Sequence, residues 1–291
     1  MSPEVLSTPV AETAKTGERS RSRARAARRR KAVVTSARVL VLVAVLGLWE
    51  ALSRAKLIDP FNFSMPSQIW DQIWTWITHG TALGSLGEQI WYTLYEALLG
   101  WVFGVVAGVV LGIALGRVRF LADVLGPYIK VLNSIPRIVL APIFVIWFGF
   151  GFTPKILIAA LLGFFPVVVN TARGLRAVDP EMVQYLRTLG ASTTVIFLRL
   201  RLPASLPYLM ASAKVSISLA TVGAVVGEFI GASQGLGYVI LRAINNFDTT
   251  TMFAALLLVS VIGVISYGVI ALVERRMLSW QPDDVAAAES A

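Results

Sequence analysis

Apolar residues come in long runs separated by short polar intervals, and the runs have the lengths of membrane spans rather than of soluble-core helices. They fall at 33–52, 90–115, 121–147, 155–172, 206–230 and 252–273. The pattern predicts an all-α membrane protein with six transmembrane helices at 33–277. A basic tail, 1–32, precedes this domain and a short tail, 278–291, follows it. Neither tail has apolar periodicity, and both are expected to be disordered.

Two spans depart from a plain apolar run. In 90–115, Gly100, Gly104, Gly108 and Gly112 recur every four residues and Gly116 continues the series, so one helix face is a nearly continuous small-residue groove. Such a face lets another span, or a second subunit, approach closely. In 121–147, Asp123, Lys130 and Arg137 lie seven apart on one face, and Pro127, Pro136 and Pro142 interrupt the helix. Ionisable groups at that depth either snorkel to the interface or face a pathway. Between the first two spans, Ile69, Trp70, Ile73, Trp74 and Ile77 mark an amphipathic helix suited to a membrane interface. The interval 231–251 is expected to be a polar, glycine-rich loop.

Composition agrees with the pattern. Of 291 residues 56% are hydrophobic and 15% charged, against roughly 25% charged in soluble domains. There is no cysteine and one histidine, His79, which argues against a thiolate metal site, a zinc site or a Ser–His–Asp triad. The net charge of +9 is mostly local: residues 1–38 hold ten basic and three acidic side chains. No aromatic residues are interleaved with these arginines, so the tail suits anionic lipid and topology rather than nucleic acid. Arg117 and Arg119, the 173–201 interval, and Arg275 and Arg276 share a side with the basic tail under the positive-inside rule. Both termini are therefore expected to be cytoplasmic, in a bacterial plasma membrane.

The longest polar interval, Asp179–Pro207, falls on that side. Asp179 and Pro180 form a helix start, Gly190 a turn, and Ser192 or Thr193 a second cap. Pro203 and Pro207 are expected to stop the second helix and begin the fifth span. A connector needs only a few residues, so two helices here point to a cytoplasmic partner.

The segment Leu189-Gly190-Ala191-Ser192, followed by Phe197, Leu202-Pro203 and Leu206-Pro207, resembles the cytoplasmic loop of permease subunits of binding-protein-dependent ABC importers. Met65-Pro66-Ser67, Pro142-Ile143-Phe144-Val145-Ile146-Trp147-Phe148-Gly149, and Gly227-Glu228-Phe229 leading to Gly235-Leu236-Gly237 are similar to the nitrate/sulfonate/taurine-type group. The resemblance covers about residues 60–277. It implies a type I permease bundle with a coupling helix, and contacts to the ATPase through Gln184, Tyr185, Leu186, Gly190, Ala191, Ser192, Leu202 and Pro203. The family pattern has Glu-Ala-Ala where this chain has Gln184-Tyr185-Leu186.

The partners implied are an ABC ATPase dimer, an extracytoplasmic binding protein, a second permease copy forming a homodimer, and membrane lipid. No phosphate-binding Gly-x-x-x-x-Gly-Lys-Ser/Thr motif occurs, so ATP and Mg belong to the partner ATPase and this chain binds no cofactor. It is expected not to be an enzyme, with no catalytic residues. The group implies an imported organic sulfonate, taurine or nitrate-like anion, with a thiamine-precursor pyrimidine or riboflavin as the alternative. Lys130, Arg137 and Glu228 are the pathway candidates. A different class, the ion-coupled secondary transporter, would show acids near the midplane.

Overall fold

A computed structural model describes residues 9–278. Among them the chain is helices and turns, with one isolated bridge between Thr81 and Gly84. It divides into two compact units, one ending at Gln68 and one beginning at Ile69.

In the first unit, α1 (Pro9–Arg54) carries an apolar stretch from Ala32 to Arg54. The basic segment read as a disordered tail is helical from Pro9, continuous with the span; Ala, Arg and Lys are all strong helix formers. Residues 1–8 and 279–291, which hold the rest of the two tails, lie outside the described residues. Beyond α1, α2 (Pro60–Phe63) starts at an Asp59 cap on Phe61 N, and the amphipathic helix expected between the first two spans is α3 (Pro66–His79). The Glu50 carboxylate bonds Arg54 Nε at 2.7 Å and Ser67 Oγ at 2.8 Å.

The second unit is built on α4 (Leu86–Arg117), α7 (Phe152–Arg176) and α10 (Leu202–Gly231). Each of the three packs against both of the others, and α7 has the most extensive contacts. The glycine face of α4 meets α7, a neighbouring span, rather than open space. A Cβ on Gly104 would sit 2.6 Å from Ala160 O, and one on Gly112 2.6 Å from Thr171 Cβ. Ala159 of α7 meets both neighbours: a Cβ on Gly100 of α4 would collide with its side chain, and one on Gly223 of α10 would lie 2.6 Å from its Cα. With little hydrophobic drive between helices in lipid, backbone proximity and packing hold such a triplet. Two cross-helix hydrogen bonds add to it: Trp101 Nε1 donates to Ala213 O at 3.1 Å, and Ser216 Oγ to Gly163 O at 2.8 Å.

The third predicted span is broken. Helix α5 (Arg119–Ser134) ends before Pro136, a 3₁₀ turn covers Arg137–Leu140, and α6 (Ala141–Phe148) follows at an 85° bend. Ile135 is extended (φ −70°, ψ 131°), the conformation a following proline imposes. The break removes Arg137 from the helix face of Asp123 and Lys130, so the seven-residue series does not form one stripe.

Two further expectations are corrected. The interval read as a polar loop at 231–251 contains α11 (Leu236–Asn245), whose Leu236, Val239, Ile240 and Ala243 are buried. Pro203 and Pro207 also do not separate two helices: α9 (Thr193–Ile196) runs through Phe197–Arg201 into α10 as one helical stretch, Thr193–Gly231. Residues 197–201 are π-wound, and Leu202 N bonds back to Phe197 O. The wider winding leaves room for the Pro203 ring over the preceding turn. The last span is α12 (Thr249–Met277), started by Asp248 on Thr251 N at 3.0 Å. Counting the bent pair as one, up to six helical units are long and apolar enough to cross a membrane.

Candidate functional site

Helix α4 carries Gln89, Thr93 and Glu96 at i, i+4 and i+7, one polar stripe in an apolar helix, and all three are fully buried. The stripe faces the start of α7, the end of α10 and the start of α11. Glu228, near the end of α10, is also fully buried. Its carboxylate accepts from Thr93 Oγ1 at 2.7 Å and from Gly237 N at 2.5 Å. Gly235 N donates to Gln89 Oε1 at 2.8 Å, and Leu236 N donates to Thr93 Oγ1 at 2.9 Å. Three N–H groups at the start of α11, which have no acceptors within their own helix, are thus satisfied by α4 and α10.

The Gly235-Leu236-Gly237 triplet follows from this contact. Gly235 has φ +104°, and a Cβ there would collide with the Glu228 carboxylate. A Cβ on Gly237 would lie 2.5 Å from Glu228 Oε2 and 2.8 Å from Val225 O. Only glycine lets the backbone come this close to a buried carboxylate.

Beside this cluster, Lys155 of α7 is 5% exposed, and its Nζ lies 2.5 Å from Glu96 Oε1. Glu96 Oε2 has no hydrogen-bond partner among the described residues. The ammonium also sits 5.2 Å from the centre of the Phe152 ring. A cavity of about 360 Å³ opens here, lined by Tyr92, Phe150, Phe152, Lys155 and the 231–234 turn. The Tyr92 and Phe152 rings stack at 5.9 Å, and Tyr95 meets Phe152 edge-on at 5.8 Å.

The opposite end of α7 and α10 carries Asp179–Pro207. There α8 (Pro180–Thr188) is capped by Asp179, which accepts from Glu181 N at 2.8 Å. Gly190 turns the chain at φ +79°, and Ser192 Oγ accepts from Val195 N at 3.3 Å to start α9. Val183 and Ile196 bury one side of the pair. Gln184, Tyr185, Gly190, Ser192 and Pro203 are exposed, and Leu186, Ala191 and Leu202 are half-buried. The eight residues expected to meet a partner thus lie along one exposed segment. Arg117 stacks over Phe197 at 5.2 Å, and Arg176 donates to Leu115 O at 2.6 Å, tying the segment's roots to α4.

The three pathway candidates are dispersed. Lys130 is exposed on α5. Arg137 lies at the bend, donating to Asn133 Oδ1 at 3.0 Å and Leu162 O at 3.4 Å, with its guanidinium 5.1 Å from the Phe165 ring centre. Glu228 belongs to the buried cluster. Lys155 and Glu96 were not among the candidates. The i, i+4, i+7 spacing of Gln89, Thr93 and Glu96 was the available signal; nothing local to Lys155 marks it as a buried partner. Among the described residues no group of three or more His, Cys, Asp or Glu side chains is placed to hold a metal.

Comparison with known proteins agrees with the geometry. Residues 104–279 match the family described as "Binding-protein-dependent transport system inner membrane component". The riboflavin transport system permease protein RibX of Chloroflexus aurantiacus is 34% identical, over 83% of this chain and 89% of the relative. The formylaminopyrimidine transport permease protein ThiX of Halalkalibacterium halodurans is 37% identical, over 53% of this chain and 62% of the relative. The putative aliphatic sulfonates transport permease protein SsuC of Bacillus subtilis is 30% identical, over 84% of this chain and 87% of the relative. In fold, the chain is similar to a structure of the MetNI methionine ABC transporter in an inward-facing conformation, with a TM-score of 0.59 and 20% identity over 66% of this chain and 95% of the other. The chain belongs to the family of binding-protein-dependent transport system inner membrane components, and is a multi-pass permease subunit of an ABC importer rather than an enzyme.

Proposed function

We propose that this permease carries a small organic solute inward, driven by a separate ATPase dimer that docks on Asp179–Pro207 and supplied by an extracytoplasmic binding protein. Two copies of the chain form the pathway between them. The termini lie on the cytoplasmic side, as the clustering of basic residues favours. ATP and Mg act on the ATPase; this chain contributes the lever.

The observation that carries the reading is the continuity of Thr193–Gly231. An exposed, self-capped segment is joined without a break to a helix that ends in the buried Glu228 cluster. A push on α8 and α9 reaches the far end of α10 through one stiff element, which is how a partner's closure biases two states of a bundle. The relatives' names support two solute classes, nitrogen heterocycles and aliphatic sulfonates. Arg137, one of the two cationic pathway candidates, is already engaged by Asn133, Leu162 and Phe165.

The test is Gly190→Val. At φ +79° a β-branched residue is strained, and no atom lies within 4 Å to clash with it, so the change acts on the turn alone. The complex reconstituted with its ATPase should lose about tenfold or more of solute-stimulated ATP hydrolysis and of uptake, an effect on the order of 1.4 kcal/mol in coupling. Normal uptake together with a distorted turn would overturn the reading.

A further inference from the structure

The cavity beside Lys155 has features that a structural pocket does not need. Phe150 is 81% exposed, held on a turn between Gly149 (φ +74°) and Gly151 (φ +142°), with open space around both glycines. Phe152 is 45% exposed, but its ring already meets Tyr92, Tyr95 and the Lys155 ammonium. The aromatic wall that no other ring or cation covers among the described residues is Phe150. Across from it, Ser233 and Gln234 are exposed and make no hydrogen bond among the described residues. At its base is Lys155. An ammonium has three donors. Glu96 takes one, and the other two have no acceptor among the described residues.

The charge at the base decides what fits. The Lys155 charge is already matched by Glu96 Oε1, and Glu96 Oε2 beside it has no hydrogen-bond partner among the described residues. An anion entering here would meet that unpartnered carboxyl oxygen beside an ammonium already engaged. A neutral acceptor, a ring nitrogen or a carbonyl, takes a spare Lys155 donor without that repulsion. Its π-face stacks on Phe150, an interaction that any flat heterocycle makes. The volume, about 360 Å³, falls within the ~300–1,000 Å³ range of small-molecule pockets.

We infer that the cavity formed by Tyr92, Phe150, Phe152, Lys155 and the Ser233–Gln234 turn is a solute site for a planar, uncharged nitrogen heterocycle with acceptor atoms on its edge, and not for an aliphatic sulfonate. It rests on the importer reading only for its place on the solute's route. The shared chemistry is a pyrimidine-like ring, free or fused within a flavin.

The experiment titrates the full-length permease in lipid nanodiscs with riboflavin, followed by flavin fluorescence, and with 4-amino-5-hydroxymethyl-2-methylpyrimidine and taurine, each by calorimetry and as competitors. Saturable binding of riboflavin, or of the pyrimidine alone, is expected, and which of the two binds separates the fused ring from the free one. Taurine in hundredfold excess should not displace it. Phe150→Ala, at a side chain outside the core, should weaken binding about tenfold, as should Lys155→Met combined with Glu96→Met, which removes the donor and its counter-charge together. Competition by taurine, unchanged binding by Phe150→Ala, or no saturable binding of either heterocycle overturns the inference. ATP-driven uptake in proteoliposomes with the cognate ATPase and binding protein reads the importer function separately. Binding without uptake leaves the site standing and overturns the importer reading; uptake of a heterocycle without binding to the nanodisc permease does the reverse.

Discussion

The two ends of α10 are built on opposite principles. At the Glu228 end the partners come from four helices: Gln89 and Thr93 on α4, Lys155 on α7 against Glu96, Gly235 and Gly237 at the start of α11, and Glu228 itself on α10. The polar groups are buried and nearly all satisfied by one another. At the Asp179–Pro207 end the bonds are local. Asp179 and Ser192 cap helices two or three residues away, while Met182, Tyr185, Leu189 and Leu198 stand exposed. One end is closed by the protein's own tertiary structure, and the other keeps its apolar side chains uncovered. A subunit that transmits force needs both: a fixed end to move and a free end to be grasped. The comparison predicts that substitutions at the first end cost stability and those at the second cost coupling.

The largest effect is expected from Lys155→Ala. It leaves Glu96 fully buried without its cation, a change worth about 3–5 kcal/mol in comparable buried pairs. Thermal denaturation of the purified permease should show a clearly lowered midpoint, or the variant should not accumulate. Replacing Glu96 by Met in the same chain, with Lys155→Met, should restore most of the loss, because no charge is then left unmatched. An unaltered midpoint for Lys155→Ala would mean that the pair contributes nothing and that the two ends do not differ as described.

Next in size is Glu228→Gln. The amide keeps the shape but replaces one acceptor oxygen with a donor. Either Gly237 N–H or the Thr93 hydroxyl then faces an N–H₂ group in a fully buried place. Leaving one buried donor unsatisfied costs about 1–3 kcal/mol. The midpoint should fall by less than for Lys155→Ala, and amide exchange should quicken at the start of α11, at Gly235–Gly237, while α8 and α9 exchange as before. Equal quickening in α8 would show that the two ends form one cooperative unit.

Much of this was legible in the chain. The all-helical class and the presence of five to six apolar helices were readable because bilayer thickness dictates run length. The glycine series on α4 marked a close contact, though not that α7 would be the partner. Asp179, Gly190 and Ser192 were readable because caps and left-handed turns are local. The bend at Pro136 and the π-wound passage through Pro203 were harder: proline announces a disturbance, and only the neighbours decide whether the helix breaks or widens. Helix α11 was missed because Gly235 and Gly237 suggest a loop by composition, while their reason is a carboxylate seven to nine residues earlier in the chain, on another helix. Lys155 is only the first residue of the fourth span in the sequence, and nothing there marks it as a buried partner, since Glu96 is 59 residues away and no periodicity connects them.

The smallest effect on stability is expected from Ser192→Ala, and it is the sharpest test of the contrast. Ser192 Oγ accepts from Val195 N at 3.3 Å, a single exposed cap at the head of the long helix. An N-cap of this kind is worth roughly 0.5–2 kcal/mol locally. Little of that should reach the global midpoint, because the four residues of α9 are anchored separately by the buried Ile196 and by Phe197 under Arg117. The loss should appear instead in function. Without the cap the first turn frays, so the surface proposed to meet the ATPase is no longer rigid with α10. ATP hydrolysis by the assembled complex should persist while uptake per ATP falls severalfold, which simultaneous counting of phosphate release and solute entry would measure. If the midpoint falls as far as for Glu228→Gln with uptake per ATP unchanged, then this end too is held by the fold rather than by a partner, and the difference between the two ends of α10 is one of burial only.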